Sequence, residues 1–160
     1  MRVKSVPDFC DEYSDKIQIL QLNFKNFGAV DKFSGEILTV KCPEDNSLLR
    51  GLLGDDGTGK VLVVNGGASN ACAYLGDNLA LLACQNNWAG ILINGMVRDV
   101  DELAKMQIGI KALGAYPKKS EKRGLGEFGH ELEFGGVKFQ SGAFVYSDNN
   151  GVIVSSSQLL

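Results

Sequence analysis

Apolar positions along this chain form short runs separated by glycine-rich and charged segments. Lys60–Asn65 (KVLVVN) and residues 91–93 (ILI) are continuous apolar runs, typical of strands that are covered on both faces. Between them, residues 77–87 are apolar on most sides and predict a buried helix that Trp88 follows. The three segments therefore predict a strand–helix–strand unit with a parallel, right-handed crossover.

The remaining pattern predicts a mixed α/β fold whose last third is all β. Residues 35–41 alternate between apolar and polar, as in a strand with one buried face. In residues 16–34 we expect phenylalanines to anchor a loop or short strand to the core. Further helices are predicted at 7–15, 43–53 and 100–106, and further strands at 109–115, 131–134, 135–139, 143–146 and 152–154, with a turn at 148–151.

Composition narrows the class of protein. The 160 residues are most simply one domain, spanning 1–160, and the hydrophobic fraction of 44% is ordinary for a soluble globular protein. A net charge of −3 argues against direct binding of nucleic acid. No apolar run reaches the length of a membrane span and the N-terminus lacks a signal-peptide core, so we expect a cytoplasmic protein without membrane contact.

Cysteine and histidine are too sparse for a typical zinc site. His130 is the single histidine, and the four cysteines form no CxxC pair. In a reducing compartment we expect Cys10, Cys42, Cys72 and Cys84 to be free, small core residues.

Candidate chemistry gathers at the two ends of the central unit. Gly76, Asp77 and Asn78 precede the predicted helix, and Arg98-Asp99 follows the predicted strand. A helix N-terminus offers backbone N–H groups to an anion, and open α/β sheets bind ligands beyond the carboxyl ends of their strands. The segment therefore predicts both halves of a site for a small carboxylate, although Arg98-Asp99 alone also fits a surface ion pair or a helix cap.

Two other segments allow more than one interpretation. The Gly66–Ser69 turn (GGAS) follows a strand but lacks the nucleotide-binding glycine motifs, which favours tight packing or close approach to a small ligand. Residues 117–124 (PKKSEKRG) are strongly basic. We expect either a solvated connection or a lip that attracts an acidic substrate or faces a partner.

Several longer stretches resemble the RraA-like family, which includes ribonuclease E activity regulators and metal-dependent 4-hydroxy-4-methyl-2-oxoglutarate aldolases. The matching stretches cover nearly the whole chain and include FKNFGAVDKFSGEILTVKCPEDN, VLVVNGG, GDNLALLACQNNWAGILINGMVRDVDEL, IGIKALGAYPKKS, FGGVKF and YSDNNGVIVS. The resemblance implies a single-domain β/β/α sandwich like the swivelling phosphohistidine domain, assembled as a homotrimer.

The resemblance also implies roles for individual residues. Aldolase-type members share an Asp, twenty intervening residues and then Arg-Asp, a spacing matched by Asp77 and Arg98-Asp99. The resemblance implies that the substrate carboxylate binds to Gly76, Asp77, Asn78 and Leu79. Arg98 would contact the keto or enolate oxygen, and Asp99 would hold a divalent metal cation, Mg²⁺ or Mn²⁺.

The implied activity is a class II pyruvate aldolase with oxaloacetate decarboxylase side activity, because both reactions on a small 2-oxo acid pass through a pyruvate enolate. A metal Lewis acid and the charge of Arg98 would stabilise that enolate, while Asp77 would orient or deprotonate a water that moves the proton. Longer aldolases of the family carry a C-terminal extension that reaches a neighbour's metal. Since this chain ends at Leu160, we expect weaker metal affinity or a lower rate.

Two other functions remain open from the sequence. The chain resembles protein inhibitors of ribonuclease E, and a moderately acidic surface suits the basic, partly disordered RNA-binding arms of such an enzyme. A Schiff-base aldolase would need a desolvated lysine. Lys41, Lys60 and Lys111 lie only at predicted strand ends or alternating positions.

Overall fold

The chain folds around one large mixed sheet, and the computed structural model describes it over residues 4–159. The helices within this range are α1 (Val6–Glu12), α2 (Ser47–Leu53), α3 (Asp77–Gln85) and α4 (Val100–Leu103). The strands are β1 (Ile17–Ile19), β2 (Lys25–Asn26), β3 (Phe33–Lys41), β4 (Lys60–Asn65), β5 (Ala73–Leu75), β6 (Gly90–Val97), β7 (Gly109–Ala115), β8 (Glu127–Phe128), β9 (Leu132–Phe134), β10 (Val137–Phe139), β11 (Phe144–Asp148) and β12 (Gly151–Ser155).

Parallel strands form the middle of the sheet. Its order is β1-β12-β11-β3-β4-β6-β7-β2, with β5 beside β6 and β8 beside β3. Strands β4 and β6 run parallel in the register Val61↔Gly90 to Asn65↔Asn94, and α3 lies in the connection between them. The predicted parallel strand–helix–strand unit is therefore confirmed.

Two cores cover the two faces of this sheet. On one face, Leu62, Ile91 and Ile93 pack with residues of α2 and α3. On the other face, Val61, Val63 and Leu92 pack with β9, β10, β11 and β12. The layers are thus β/β/α, as the fold-class prediction states. Full burial of residues 91–93 stabilises the fold by roughly 2 kcal/mol for each side chain.

Helix α2 begins later than predicted. Residues 43–46 were expected to open it, but Glu44 has a left-handed φ of 53° and the helix starts at Ser47. The buried side chains of Asp45 and Asn46 make hydrogen bonds outside the helix instead. Tertiary contacts therefore override the helical pattern in this segment.

Other boundaries and burial also differ from the expectations. Helix α3 buries Leu79, Ala80 and Ala83 but leaves Leu81 48% exposed, so it is covered mainly on one side. The short strands β5 and β8 were not predicted. The phenylalanine prediction is confirmed, since Phe33 is buried and Phe24 and Phe27 pack against the two cores.

The cysteines are free in the described residues, with Cys42 and Cys72 buried and Cys10 and Cys84 half-buried. Within residues 4–159, no helix is both long enough and apolar enough to cross a membrane. The expectations that involve residues 1–3 or Leu160 lie outside the described range.

Candidate active-site cleft

The end of β6 and the start of α3 meet at one point of the molecule. The N–H of Arg98 donates to the carbonyl of Leu75 at 2.9 Å, which ties the exit of β6 to the end of β5. The N–H of Asp77 donates to Asp99 Oδ2 at 3.0 Å. These two bonds bring the predicted Asp77 and Arg98-Asp99 groups together across the sequence that separates them.

Gly76 leaves the space that this approach requires. A Cβ at Gly76 would lie 2.6 Å from Asp99 Oδ2 and 3.4 Å from Arg98 Nε. The backbone of Gly76 is extended, with φ −129°, so glycine is needed here for close approach rather than for an unusual backbone conformation.

Asp99 has a strained backbone and an unusual capping role. Its φ of 58° and ψ of 40° are left-handed, a conformation that costs free energy in a residue other than glycine. Asp99 stands at the N-cap of α4, yet its side chain caps α3 through the Asp77 N–H. The helix-cap interpretation therefore holds for one carboxylate oxygen, while the other makes no hydrogen bond within the described residues.

The N-terminus of α3 offers donors to an anion. The N-cap residue of this nine-residue helix is Gly76, which has no side chain to accept a hydrogen bond. The N–H groups of Asn78 and Leu79 therefore have no acceptor one turn earlier inside the helix. Because the helix dipole adds partial positive charge, this end of α3 suits a carboxylate.

All six sequence-predicted site residues line one cavity of about 180 Å³. They are Gly76, Asp77, Asn78, Leu79, Arg98 and Asp99. We call this cavity the cleft. Arg98 is half-buried, and its side chain has no hydrogen-bond or ion-pair partner among residues 4–159, so the guanidinium is available to a ligand.

Four polar or charged residues of the cleft were not predicted as site residues. They are Asn46, Arg50, Lys119 and Lys122. The sequence signal for the two lysines was the basic segment 117–124, for which a lip that attracts an acidic substrate was one of the interpretations. Asn46 immediately precedes α2 and Arg50 lies within it, and neither residue carries a local sequence signal for a site.

The basic segment is held in place rather than solvated throughout. Ala73 forms an isolated parallel bridge with Lys119, and its N–H donates to the Lys118 carbonyl at 2.8 Å. Asn46 Nδ2 donates to the Tyr74 carbonyl at 2.8 Å, and Asn46 Oδ1 accepts from Lys122 Nζ at 3.1 Å. These contacts fix the lysines beside β5, the strand that leads into Gly76.

The neighbouring Asp45 anchors the far end of the same segment. Its fully buried carboxylate accepts the N–H groups of Arg123 at 2.7 Å, Leu125 at 3.0 Å and Ser47 at 2.8 Å, as well as the Ser47 hydroxyl. Burial raises the pKa of Asp45, but the hydrogen bonds from Ser47, Leu125 and Arg123 outweigh it, so the pKa lies well below its usual range.

The cleft residues fit a divalent cation that keeps part of its water shell. No group of three or more Asp, Glu, His or Cys side chains converges within residues 4–159. Asp99 nevertheless presents one open carboxylate oxygen, and Asp77 lines the same cavity. Magnesium prefers oxygen ligands and is commonly held by one or two carboxylates plus water.

Two alternative sites gain no support from the geometry. The ring of Tyr74 fills the space beside Gly66, where a Cβ would lie 2.5 Å from it, so tight packing explains this glycine. Lys111 is buried, contrary to the sequence-based expectation, and burial lowers its pKa. However, its neighbours Ile110 and Ala112 lie on the face of the sheet that packs against α2 and α3. Because side chains alternate along a strand, Lys111 points to the opposite face, and it does not line the cleft.

Comparison with known proteins identifies relatives over nearly the full length. The profile of the RraA-like family (Aldolase/RraA) matches residues 6–154. Proteins from Pseudomonas syringae pv. tomato and Pseudomonas aeruginosa are 52% and 50% identical over 153 residues, covering 96% of this chain and 94% of each relative. Both carry the name "Putative 4-hydroxy-4-methyl-2-oxoglutarate aldolase".

Solved structures with the same fold carry other names. One from Geobacillus kaustophilus, described as an S-adenosylmethionine:2-dimethylmenaquinone methyltransferase, is 44% identical with a TM-score of 0.96. The alignment covers 98% of this chain and 97% of that one. The RNA-processing inhibitor RraA from Thermus thermophilis is 39% identical with a TM-score of 0.95, over 100% of this chain and 96% of that one.

Proposed function

The chain belongs to the RraA-like family, and from this premise we propose that it is a divalent-metal-dependent aldolase that cleaves 4-hydroxy-4-methyl-2-oxoglutarate. One observation carries the proposal. The hydrogen bond of 3.0 Å between the Asp77 N–H and Asp99 Oδ2 joins the two charged groups in one cleft beside Arg98. The names of relatives that are about 50% identical point to the same reaction.

The α3 N-terminus binds the C1 carboxylate of the substrate in this proposal. The N–H groups of Asn78 and Leu79 donate to the carboxylate oxygens, and the helix dipole contributes about 0.3–1 kcal/mol. Arg98 faces the neighbouring 2-oxo oxygen. This arrangement orients the bond between C3 and C4 within the cleft.

Cleavage moves negative charge onto the 2-oxo oxygen of the substrate. The C4 hydroxyl loses its proton and the C3–C4 bond breaks, which releases one pyruvate and leaves the other as an enolate that takes up a proton at C3. Arg98 supplies fixed positive charge where the enolate develops. Asp77 accepts the proton of the C4 hydroxyl through a water molecule.

Asp99 is the residue that would hold the cation, through the oxygen that does not accept the Asp77 N–H. When bound, Mg²⁺ or Mn²⁺ supplies a Lewis acid for the charge on the 2-oxo and carboxylate oxygens. Loss of carbon dioxide from oxaloacetate produces the same enolate, so we expect oxaloacetate decarboxylation as a side activity. By family resemblance, the proposal extends to a homotrimer.

The first test measures pyruvate release from 4-hydroxy-4-methyl-2-oxoglutarate and from oxaloacetate, with Mg²⁺ or Mn²⁺ and with chelator. We expect turnover that requires the metal. Arg98→Ala should lower kcat/KM by about 10²–10³-fold, because a charge that stabilises the enolate is lost. Asp99→Asn should abolish turnover and weaken Mn²⁺ binding, measured separately by calorimetry.

Asp101→Asn is the matched control, because Asp101 is an exposed carboxylate that does not line the cleft. It should retain full turnover and Mn²⁺ binding. Turnover by the wild-type protein no faster than with metal alone would refute the aldolase proposal.

A second candidate function is inhibition of ribonuclease E by direct protein contact. The observation in its favour is the 39% identity to an RNA-processing inhibitor over the whole chain. The two functions use different parts of the molecule, because catalysis needs the cleft and inhibition needs an exposed surface. One protein is therefore able to carry both.

A further inference from the structure

Three further positive side chains line the cleft, on segments other than α3 and β6. Arg50 extends from α2, while Lys119 and Lys122 come from the basic segment 117–124. Among residues 4–159, the side chains of Arg50 and Lys119 have no hydrogen-bond or ion-pair partner, and the side chain of Lys122 makes one hydrogen bond, to Asn46. These three cations play no part in the aldol cleavage described above.

The cleft is positive although the whole chain is negative. Arg50, Arg98, Lys119 and Lys122 line it together with only two carboxylates, Asp77 and Asp99, while the net charge of the chain is −3. Cations concentrated in one cavity attract an anion more strongly than the same cations spread over a surface. This imbalance exceeds what one substrate carboxylate at α3 neutralises.

We propose that Arg50, Lys119 and Lys122 form a second anion-binding subsite, which takes the distal carboxylate of a dicarboxylic 2-oxo acid. The inference rests on the proposed function, in which the first carboxylate binds at the N-terminus of α3. Ala73, Tyr74 and Leu75 line the cavity together with both groups, so one ligand is able to span them. The subsite selects dicarboxylic over monocarboxylic 2-oxo acids.

The subsite is partly organised before a ligand binds. The side-chain oxygen of Asn46 accepts a hydrogen bond from Lys122 Nζ, and the side-chain amide of Asn46 donates to the Tyr74 carbonyl. The bridge between Ala73 and Lys119 fixes the backbone of Lys119. Groups that are already positioned lose less conformational entropy when they bind. The basic segment therefore acts as one wall of the cleft.

The test compares two ligands that cannot be cleaved. 2-Oxoglutarate and 2-oxopentanoate have the same five-carbon chain, and only the first carries a distal carboxylate. In the presence of Mg²⁺, calorimetry should give a Kd for 2-oxoglutarate that is about tenfold lower. The difference should shrink as salt is raised, since exposed charges are screened.

Charge-removing and charge-keeping variants isolate the subsite. In the Arg50→Gln/Lys119→Gln double variant, both ligands should bind with the affinity of 2-oxopentanoate. The Arg50→Lys/Lys119→Arg double variant keeps the charges and should keep most of the selectivity. Lys16→Gln removes an exposed charge outside the cleft and should behave as wild type.

The possible results separate this inference from the proposed function. Equal binding of both ligands by the wild type, or selectivity that survives Arg50→Gln/Lys119→Gln, would overturn the subsite. Selective binding without turnover of 4-hydroxy-4-methyl-2-oxoglutarate would retain the subsite and refute the aldolase. Turnover of 4-hydroxy-4-methyl-2-oxoglutarate without selective binding would retain the aldolase proposal and refute the subsite.

Discussion

Gly76 controls how closely the two halves of the cleft approach each other. An added methyl group would overlap Asp99 Oδ2, the far end of a side chain that is exposed and able to move. The backbone at Gly76 is extended and accepts any residue. A substitution here therefore disturbs the site much more than it disturbs the fold.

We predict that Gly76→Ala lowers stability by less than about 1 kcal/mol but removes most of the activity and Mn²⁺ affinity. The physical reason is that Asp99 must rotate away from the Asp77 N–H and from the cation position. Urea unfolding and calorimetric Mn²⁺ titration measure the two effects separately. Unchanged Mn²⁺ binding in Gly76→Ala would contradict the role given to Asp99.

Gly51→Ala is the matched control for this substitution. Gly51 lies inside α2, and a Cβ there meets nothing within 4 Å. Alanine at an open position within a helix should raise stability by about 0.5–1 kcal/mol. Activity should stay at the wild-type level.

At the scale of elements, the connection between β3 and α2 organises the basic segment. Asp45 and Asn46 together bind the backbone or side chains of Ser120, Lys122, Arg123 and Leu125. A segment with four cations among eight residues would otherwise repel itself and spread into solvent. Two buried polar side chains thus turn a loop into a wall of the cleft.

We predict that Asp45→Asn destabilises the protein by about 3 kcal/mol at pH 7, because an amide cannot accept all of the N–H and O–H donors that surround Asp45. The folded pKa of Asp45 is lowered, so its stabilising contribution is complete above the unfolded pKa of about 4. It is lost as the pH falls below that value towards the lower folded pKa.

Urea unfolding of wild type and Asp45→Asn at pH 7 and pH 3 measures this dependence. The difference in stability between the two proteins should narrow at the lower pH. Asp56→Asn is the control, since Asp56 is exposed and bonds only to Thr58, and it should change stability far less. A gap between wild type and Asp45→Asn that stays constant with pH would contradict the assignment.

At the scale of the whole molecule, the chemistry of the cleft and the outer surface are separable. The cleft lies at the ends of β5 and β6, whereas large apolar side chains such as Leu22, Leu125 and Phe128 are exposed elsewhere. A protein partner would contact this outer surface rather than the small cavity. Substitutions inside the cleft should therefore leave such contact intact.

We predict that Asp99→Asn, which should abolish turnover, inhibits RNA cleavage by purified ribonuclease E as strongly as the wild type does. The reason is that the substitution changes one side chain within the cleft and adds no bulk to the surface. Inhibition constants from a cleavage assay provide the measurement. Absence of inhibition by the wild type would rule out the second function, and loss of inhibition in Asp99→Asn would show that the cleft itself is the contact.

The sequence by itself determined the elements whose signals are local. Lys60–Asn65 and Gly109–Ala115 have the bounds that their apolar patterns predict, and the parallel unit around α3 follows from short-range periodicity. The position of Gly76-Asp77-Asn78 at a helix start and of Arg98-Asp99 at a strand exit also located half of the cleft. These features were predictable because each depends on neighbouring residues or on one short crossover.

Only the tertiary structure decided the other half of the cleft. Asp45 binds Arg123 from 78 positions away, and Asn46 binds Lys122 from 76 positions away. Hydrogen bonds over such separations depend on which strands become neighbours, and irregular segments carry no periodicity from which to infer them. For the same reason, the exposure of Leu81, the late start of α2 and the strand β5 emerged only when the sheet was assembled.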